Sequence, residues 1–104
     1  MIKEYFNIVL HSPMGDRKGF LTLFIDNEKL SGVFRLLGFD NKIESGYIKD
    51  GGYSFISKLK TAVGELNCKV AAHLEKQTLL GTANTEKEII KITGILTQRN
   101  NTTW

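Results

Sequence analysis

Residues 42–60 read KIESGYIKDGGYSFISKLK, two runs rich in β-branched and aromatic residues that meet at an Asp-Gly turn. Asp50 and Gly51 both tolerate the positive φ angles of a type I′ turn, a frequent two-residue connection between antiparallel strands. Neither run keeps the 3.6-residue period of an amphipathic helix. This stretch therefore predicts a β-hairpin.

Similar runs extend in both directions from this hairpin, and turn-forming residues separate them. The eight predicted strands cover residues 3–11, 19–25, 28–37, 42–49, 53–61, 65–74, 77–84 and 88–98. Because every connection is short, neighbouring strands must run antiparallel. We predict an all-β fold, an eight-stranded antiparallel up-and-down barrel, with an open sandwich as the alternative.

An internal repeat supports this number of strands. An offset of 49 residues pairs Phe6 with Phe55 and Gly32 with Gly81, and near the end an offset of 48 pairs Gly46 with Gly94. We place the missing residue in the turn before the last strand. The prediction is a single domain, residues 1–98, with repeat units at about 3–50 and 53–98 and a polar C-terminal tail at 99–104, in which Trp104 could anchor the tail on an apolar patch.

Composition excludes several classes of protein. The chain has 104 residues and a net charge of +3, without a basic run, so we expect no nucleic-acid partner. No stretch approaches the roughly 18 apolar residues of a membrane helix. Lys3, Glu4 and Asn7 interrupt the apolar start of the chain, so we expect no signal peptide. The single cysteine, Cys68, fits a reducing compartment. We expect a cytoplasmic protein without a membrane partner.

Several short motifs carry a resemblance to a known family. They are Ser-Pro-Met-Gly at residues 12–15, Leu-Ser-Gly at 30–32, Gly-Tyr-Ile-Lys-Asp-Gly-Gly-Tyr-Ser-Phe at 46–55 and Ile-Thr-Gly at 92–94. The chain resembles a family of small bacterial β-modules in which Thr/Ser-Pro-Met-Gly and Leu-Ser-Gly motifs recur twice. The resemblance implies a small barrel similar in outline to the calycins and lipocalins. It implies no catalytic residues, because the family has no established activity.

The sequence contains no set of residues that convincingly predicts a catalytic or metal site. His11, Ser12 and Asp16 are the residue types of a catalytic triad, but neighbours in a strand point to opposite faces, so His11 and Ser12 should not meet as base and nucleophile. His73 lies in the other repeat unit, and the acidic residues are scattered. We therefore expect no enzyme, no metal site and no cofactor.

Alternation within the strands predicts which residues face inward. The set Leu66, Cys68, Val70, Ala72 and Leu74 is apolar, whereas the opposite face of that strand is largely polar. The repeat transfers this assignment to Leu21, Leu23 and Ile25, which leaves Phe20 and Phe24 facing outward. Exposed aromatic residues of this kind mark interfaces, so we predict that Phe20 and Phe24 form the contact of a homodimer.

Two functions remain open from the sequence. The first is a non-catalytic binding module for a small apolar ligand, held in the barrel interior or its mouth by Phe6, Phe34, Tyr47 and Phe55. The second is a homodimerising protein-interaction scaffold without a bound ligand. The size of the inward side chains separates them, because Gly32 and Ala72 would open space whereas Leu23 would close it.

Overall fold

Turn-forming residues separate eight strands in the computed structural model, which describes residues 1–61 and 64–101. The strands are β1 (Ile2–Ser12), β2 (Gly15–Asp26), β3 (Lys29–Leu36), β4 (Phe39–Lys49), β5 (Gly52–Thr61), β6 (Gly64–Glu75), β7 (Thr78–Thr85) and β8 (Ile89–Asn101). In the turn between β4 and β5, Asp50 and Gly51 have φ angles of 53° and 77°. Both are positive, as a type I′ turn requires, so the predicted hairpin is confirmed.

Every strand pairs antiparallel with its neighbour in sequence, and β1 also pairs with β8. The sheet is therefore a closed barrel, which confirms the predicted eight-stranded antiparallel architecture and excludes the open sandwich. Among the described residues, closure joins β1 to β8, so neither the first nor the last strand is left as a free sheet edge. The described residues hold no helix of the length and apolar character needed to cross a membrane.

Inward-facing side chains fill the barrel with one apolar core. The predicted faces are confirmed on two strands, because Leu21, Leu23 and Ile25 of β2 and Cys68, Val70 and Ala72 of β6 are all buried. Two aromatic pairs pack edge-to-face in the core, Phe6 on Tyr53 and Phe34 on Phe55, each with ring centroids 6.2 Å apart. An eight-stranded barrel is just wide enough for its own side chains, and here they occupy it.

A β-bulge in β4 reverses the facing of the second half of that strand. The pairing with β5 shifts register between Glu44 and Tyr47, and Ser45 has a φ of 49°. Ile43 is buried before the bulge and Ile48 is half-buried after it. Tyr47 consequently points outward and is 52% exposed, so it does not line the barrel interior, and its predicted place at a barrel mouth stays a prediction.

The same bulge accounts for the change of offset between the two halves. Ile43 and Ile92, both buried, differ by 49 positions, whereas Gly46 and Gly94 beyond the bulge differ by 48. A bulge inserts one extra residue into a strand without ending it. The difference of one residue thus lies inside β4, and our placement of it in the turn before the last strand is wrong.

The last strand is longer than the sequence pattern predicts. β8 extends to Asn101, and its end pairs with the start of β1, with Arg99 opposite Glu4 and Asn101 opposite Ile2. Residues 99–101 therefore belong to the barrel and not to a tail, because the first strand supplies them with backbone partners. The prediction that Trp104 anchors the tail lies outside the described residues.

Candidate functional site

Three of the four aromatic residues predicted to bind a ligand lie deep in the core. Phe6, Phe34 and Phe55 are almost completely buried, and each ring already packs against another aromatic ring of the barrel. Tyr47 lies apart from them on the outer surface. The structure thus does not bring the four together into one pocket.

The mouth of the barrel beside the turn that contains Pro13 is apolar but small. Leu10, Leu36, Leu59 and Ile90 line a cavity of about 120 Å³ at this end. Sites for small organic ligands usually enclose roughly 300 to 1,000 Å³. The mouth is therefore too small for such a ligand unless the strands around it move.

A larger concavity lies on the outer surface of the barrel. It has a volume of about 450 Å³ and crosses β2, β1, β8 and β7; we call it the outer groove. The outward side chains that line it form two neighbouring rows across these four strands. The first row is Lys18, Val9, Thr93 and Leu80, and the second is Phe20, Asn7, Ile95 and Thr78.

Inward-facing glycines explain why the outer surface is concave here. Gly19 and Gly94 both contribute to the outer groove, and both are buried. A Cβ on Gly94 would lie 2.9 Å from Ile8 Cγ2 and one on Gly19 would overlap the carbonyl oxygen of Arg35. Because these side chains are absent, the sheet can bend toward the core, which hollows its outer face.

The floor of the outer groove is mainly apolar and accessible. Phe20 is 57% exposed and Ile95 is 52% exposed, and Val9 and Leu80 of the first row add two more apolar side chains. Lys18 supplies a cation at one end, whereas Asn7 and Thr78 supply neutral polar groups. Such a surface suits a ligand that is mostly hydrocarbon with one polar end.

Phe20 also borders a second, smaller depression on β2 and β3, with a volume of about 310 Å³. Thr22, Phe24 and Val33 line it, and the Arg35–Asp40 ion pair closes one side, with Arg35 Nε 2.6 Å from Asp40 Oδ1. The hydrogen bond from Arg35 lowers the pKa of Asp40. Phe20 and Phe24 face outward, as the sequence predicts, and their role in an interface stays a prediction.

Sequence reasoning missed a buried polar cluster at the end of the barrel that holds the chain start. Glu4 is only 1% exposed; Oε1 accepts a hydrogen bond of 2.8 Å from the Tyr53 hydroxyl, and Oε2 accepts one of 2.8 Å from Arg99 Nε. Burial, followed by the bond to Glu4, raises the pKa of Tyr53, and the same carboxylate raises the pKa of Arg99. Glu4 is in the inward register with Phe6 and Ile8, which was the available signal.

The two histidines have different surroundings. His11 contacts Asp16 and Thr93, at 3.1 Å and 2.8 Å, whereas the Ser12 hydroxyl donates to the carbonyl oxygen of Gly15 and not to His11. His73 pairs with Glu75 at 3.3 Å on β6. Within residues 1–61 and 64–101, no group of three or more His, Cys, Asp or Glu side chains could hold a metal ion. Burial raises the pKa of Cys68 to about 11, so this thiol is not a ready nucleophile.

Comparisons with known proteins show a similar fold but do not assign the chain to a family. No family model matches the chain, and no curated protein matches it. Among solved structures, the chain is similar to the crystal structure of apo Caenorhabditis elegans lipid binding protein 8, with a TM-score of 0.50 and 14% sequence identity. The match covers 77% of this chain and 71% of that one. It shows that the two proteins share a β-barrel fold.

Proposed function

We propose that this protein is a binding module for a small apolar ligand and that the ligand lies in the outer groove. The proposal rests on the difference between the barrel interior and the outer groove. The interior is occupied by the core itself, whereas the outer groove offers about 450 Å³ with Val9, Phe20 and Ile95 accessible. Phe6, Phe34 and Phe55 then build the barrel that holds the groove in shape, and they do not contact the ligand.

The similar solved structure supports a binding role. That structure is of a lipid binding protein, and a barrel is a rigid frame on which a binding surface can be carried. A ligand with one hydrocarbon portion and one polar or anionic end would match the apolar floor and Lys18. Binding of this kind needs no metal or cofactor.

Fluorescence titration with 8-anilino-1-naphthalenesulfonate, an apolar anion, tests the proposed site. We expect Ile95→Glu to weaken binding about tenfold or more, because it places a charge on the apolar floor. Ile56→Glu is the matched control, since Ile56 is also an outward isoleucine, 40% exposed, on β5. Equal weakening by both substitutions, or by neither, would contradict a site in the outer groove.

A homodimer is the second candidate, and the exposure of Phe20 favours it. Phe20 borders both outer depressions, so a second copy that covered it would also cover Phe24. Sedimentation at high micromolar concentration would then give twice the monomer mass, and Phe20→Asp would return it to the monomer. A monomer at that concentration would remove this candidate and the interaction scaffold with it.

Three further expectations from the sequence also stand as proposals. The chain arose by duplication, and support comes from the strand bounds: β2 and β6, like β3 and β7, begin and end at positions that differ by 49. It is a bacterial protein, which rests on the motif resemblance. It resides in the cytoplasm, where a single buried thiol such as Cys68 stays reduced.

A further inference from the structure

His11 joins two side chains that are distant in the sequence. Its Nδ1 lies 3.1 Å from Asp16 Oδ1, and its Nε2 lies 2.8 Å from Thr93 Oγ1, a residue 82 positions away. A carboxylate only accepts hydrogen bonds, so Asp16 keeps the imidazole proton on Nδ1. Nε2 then accepts a hydrogen bond from the Thr93 hydroxyl. A general base accepts a hydrogen bond from its nucleophile in the same way.

Register places this trio at the edge of the outer groove. Asp16 and His11 are paired on β2 and β1, in the row directly beside the one that holds Lys18, Val9 and Thr93. Thr93 is half-buried and lines the groove next to Val9 and Leu80. A group held on the apolar floor would therefore lie within reach of the threonine oxygen.

Lys18 completes the arrangement with a cation on the other side of Val9. Lys18 and Thr93 each pair with Val9 from opposite strands, so their Cα atoms are about 10 Å apart. A lysine side chain spans about half of that distance, so the ammonium can approach a carbonyl oxygen held above Val9. A positive group at this position would stabilise an oxyanion formed by attack from Thr93.

We propose that the outer groove hydrolyses esters of apolar carboxylic acids, with Thr93 as nucleophile, His11 as general base and Asp16 as a positioning residue. Thr93 Oγ1 bonds to the ester carbonyl carbon while its proton passes to His11 Nε2. The bond to the alcohol then breaks, and the alcohol leaves with that proton. Water attacks the acyl-threonine in the same way, which releases the acid and restores Thr93. The inference rests on the proposed binding function and departs from our expectation of no enzyme.

Hydrolysis of 4-nitrophenyl octanoate by the full chain tests the proposal. We expect Thr93→Val and His11→Gln each to lower the rate about 100-fold, the usual scale of general base catalysis. Thr93→Ser should retain hydrolysis, and Asp16→Asn should lower the rate without weakening binding. Mass spectrometry after an acid quench should find an octanoyl group on the peptide that contains Thr93.

His73→Gln is the matched control, because His73 is an exposed histidine beside a carboxylate but lies on β6. It should leave the rate unchanged, whereas nonspecific catalysis by surface imidazoles would respond to both histidine substitutions. A wild-type rate no higher than that of Thr93→Val would overturn the proposal. Binding of 8-anilino-1-naphthalenesulfonate to the wild-type chain, measured in parallel, distinguishes two kinds of failure. If the chain binds the dye but does not hydrolyse the ester, only the reaction is refuted. If it does neither, the proposed binding site is refuted as well.

Discussion

At the residue scale, one buried carboxylate connects three strands at the end of the barrel where the chain begins. Glu4 on β1 accepts from Tyr53 on β5 and from Arg99 on β8. A buried charge is tolerated only when it is paired and hydrogen-bonded, and here both carboxylate oxygens have a donor. The cluster thus stabilises the seam between β1 and β8.

Tyr53→Phe should destabilise the fold because it removes one donor and leaves Glu4 Oε1 buried. We expect the free energy of unfolding to fall by about 1 to 3 kcal/mol in urea denaturation. Tyr47→Phe is the control, since Tyr47 is exposed, and it should change stability by less than about 0.5 kcal/mol. Equal effects would show that the hydroxyl bond to Glu4 does not stabilise the barrel.

Some of these residue contacts could be predicted from the sequence and others could not. The inward position of Glu4 follows from strand alternation, because it shares a face with Phe6 and Ile8. Its partner Arg99 is 95 positions away, and the sequence pattern assigned that residue to a tail. Thr93 and His11 are likewise paired only by barrel closure, so no local pattern could reveal them.

At the element scale, a glycine inside a strand allows two neighbouring strands to approach closely. A Cβ on Gly81 of β7 would lie 2.5 Å from Ala72 Cβ and 2.6 Å from Ala72 Cα, and it would overlap the carbonyl oxygen of Ala71. A Cβ on Gly32 of β3 would likewise overlap the carbonyl oxygen of Thr22. Neither position can therefore carry a side chain without displacing the neighbouring strand.

Gly81→Ala should therefore destabilise the barrel through overlap with β6. We expect a loss of about 2 to 3 kcal/mol, as for other overpacked sites. Gly38→Ala is an informative comparison, because Gly38 has a φ of 80° and open space around its Cα. It should cost about 1 kcal/mol through backbone strain alone. Thermal denaturation of both variants measures the difference, and a smaller effect at Gly81 would contradict the close approach.

The turn between β4 and β5 could be predicted from the sequence, whereas the bulge in β4 could not. The Asp50-Gly51 turn was predictable because few residue pairs tolerate two positive φ angles. The bulge at Ser45 was not, since serine has no strong preference for positive φ and alternation on each side of the bulge is regular. The outward direction of Tyr47 depends on that bulge and was therefore not predictable either.

At the scale of the whole molecule, barrel closure and a filled interior together determine where a ligand can bind. Two edge-to-face aromatic pairs lie in the core, and the mouth beside Pro13 encloses only about 120 Å³. The outer groove is almost four times larger and largely apolar. Alternation predicted the core correctly, but a groove that depends on sheet curvature at Gly19 and Gly94 has no local sequence signature.

Amide chemical-shift mapping during titration with 1-octanol distinguishes binding on the outside of the barrel from binding in its interior. We expect the largest shifts at Val9, Phe20 and Ile95, with small changes at the inward-facing Phe55 and Val70 on the far side. Largest shifts at Phe55 and Val70 would contradict binding on the outside, because the ligand would then enter the interior.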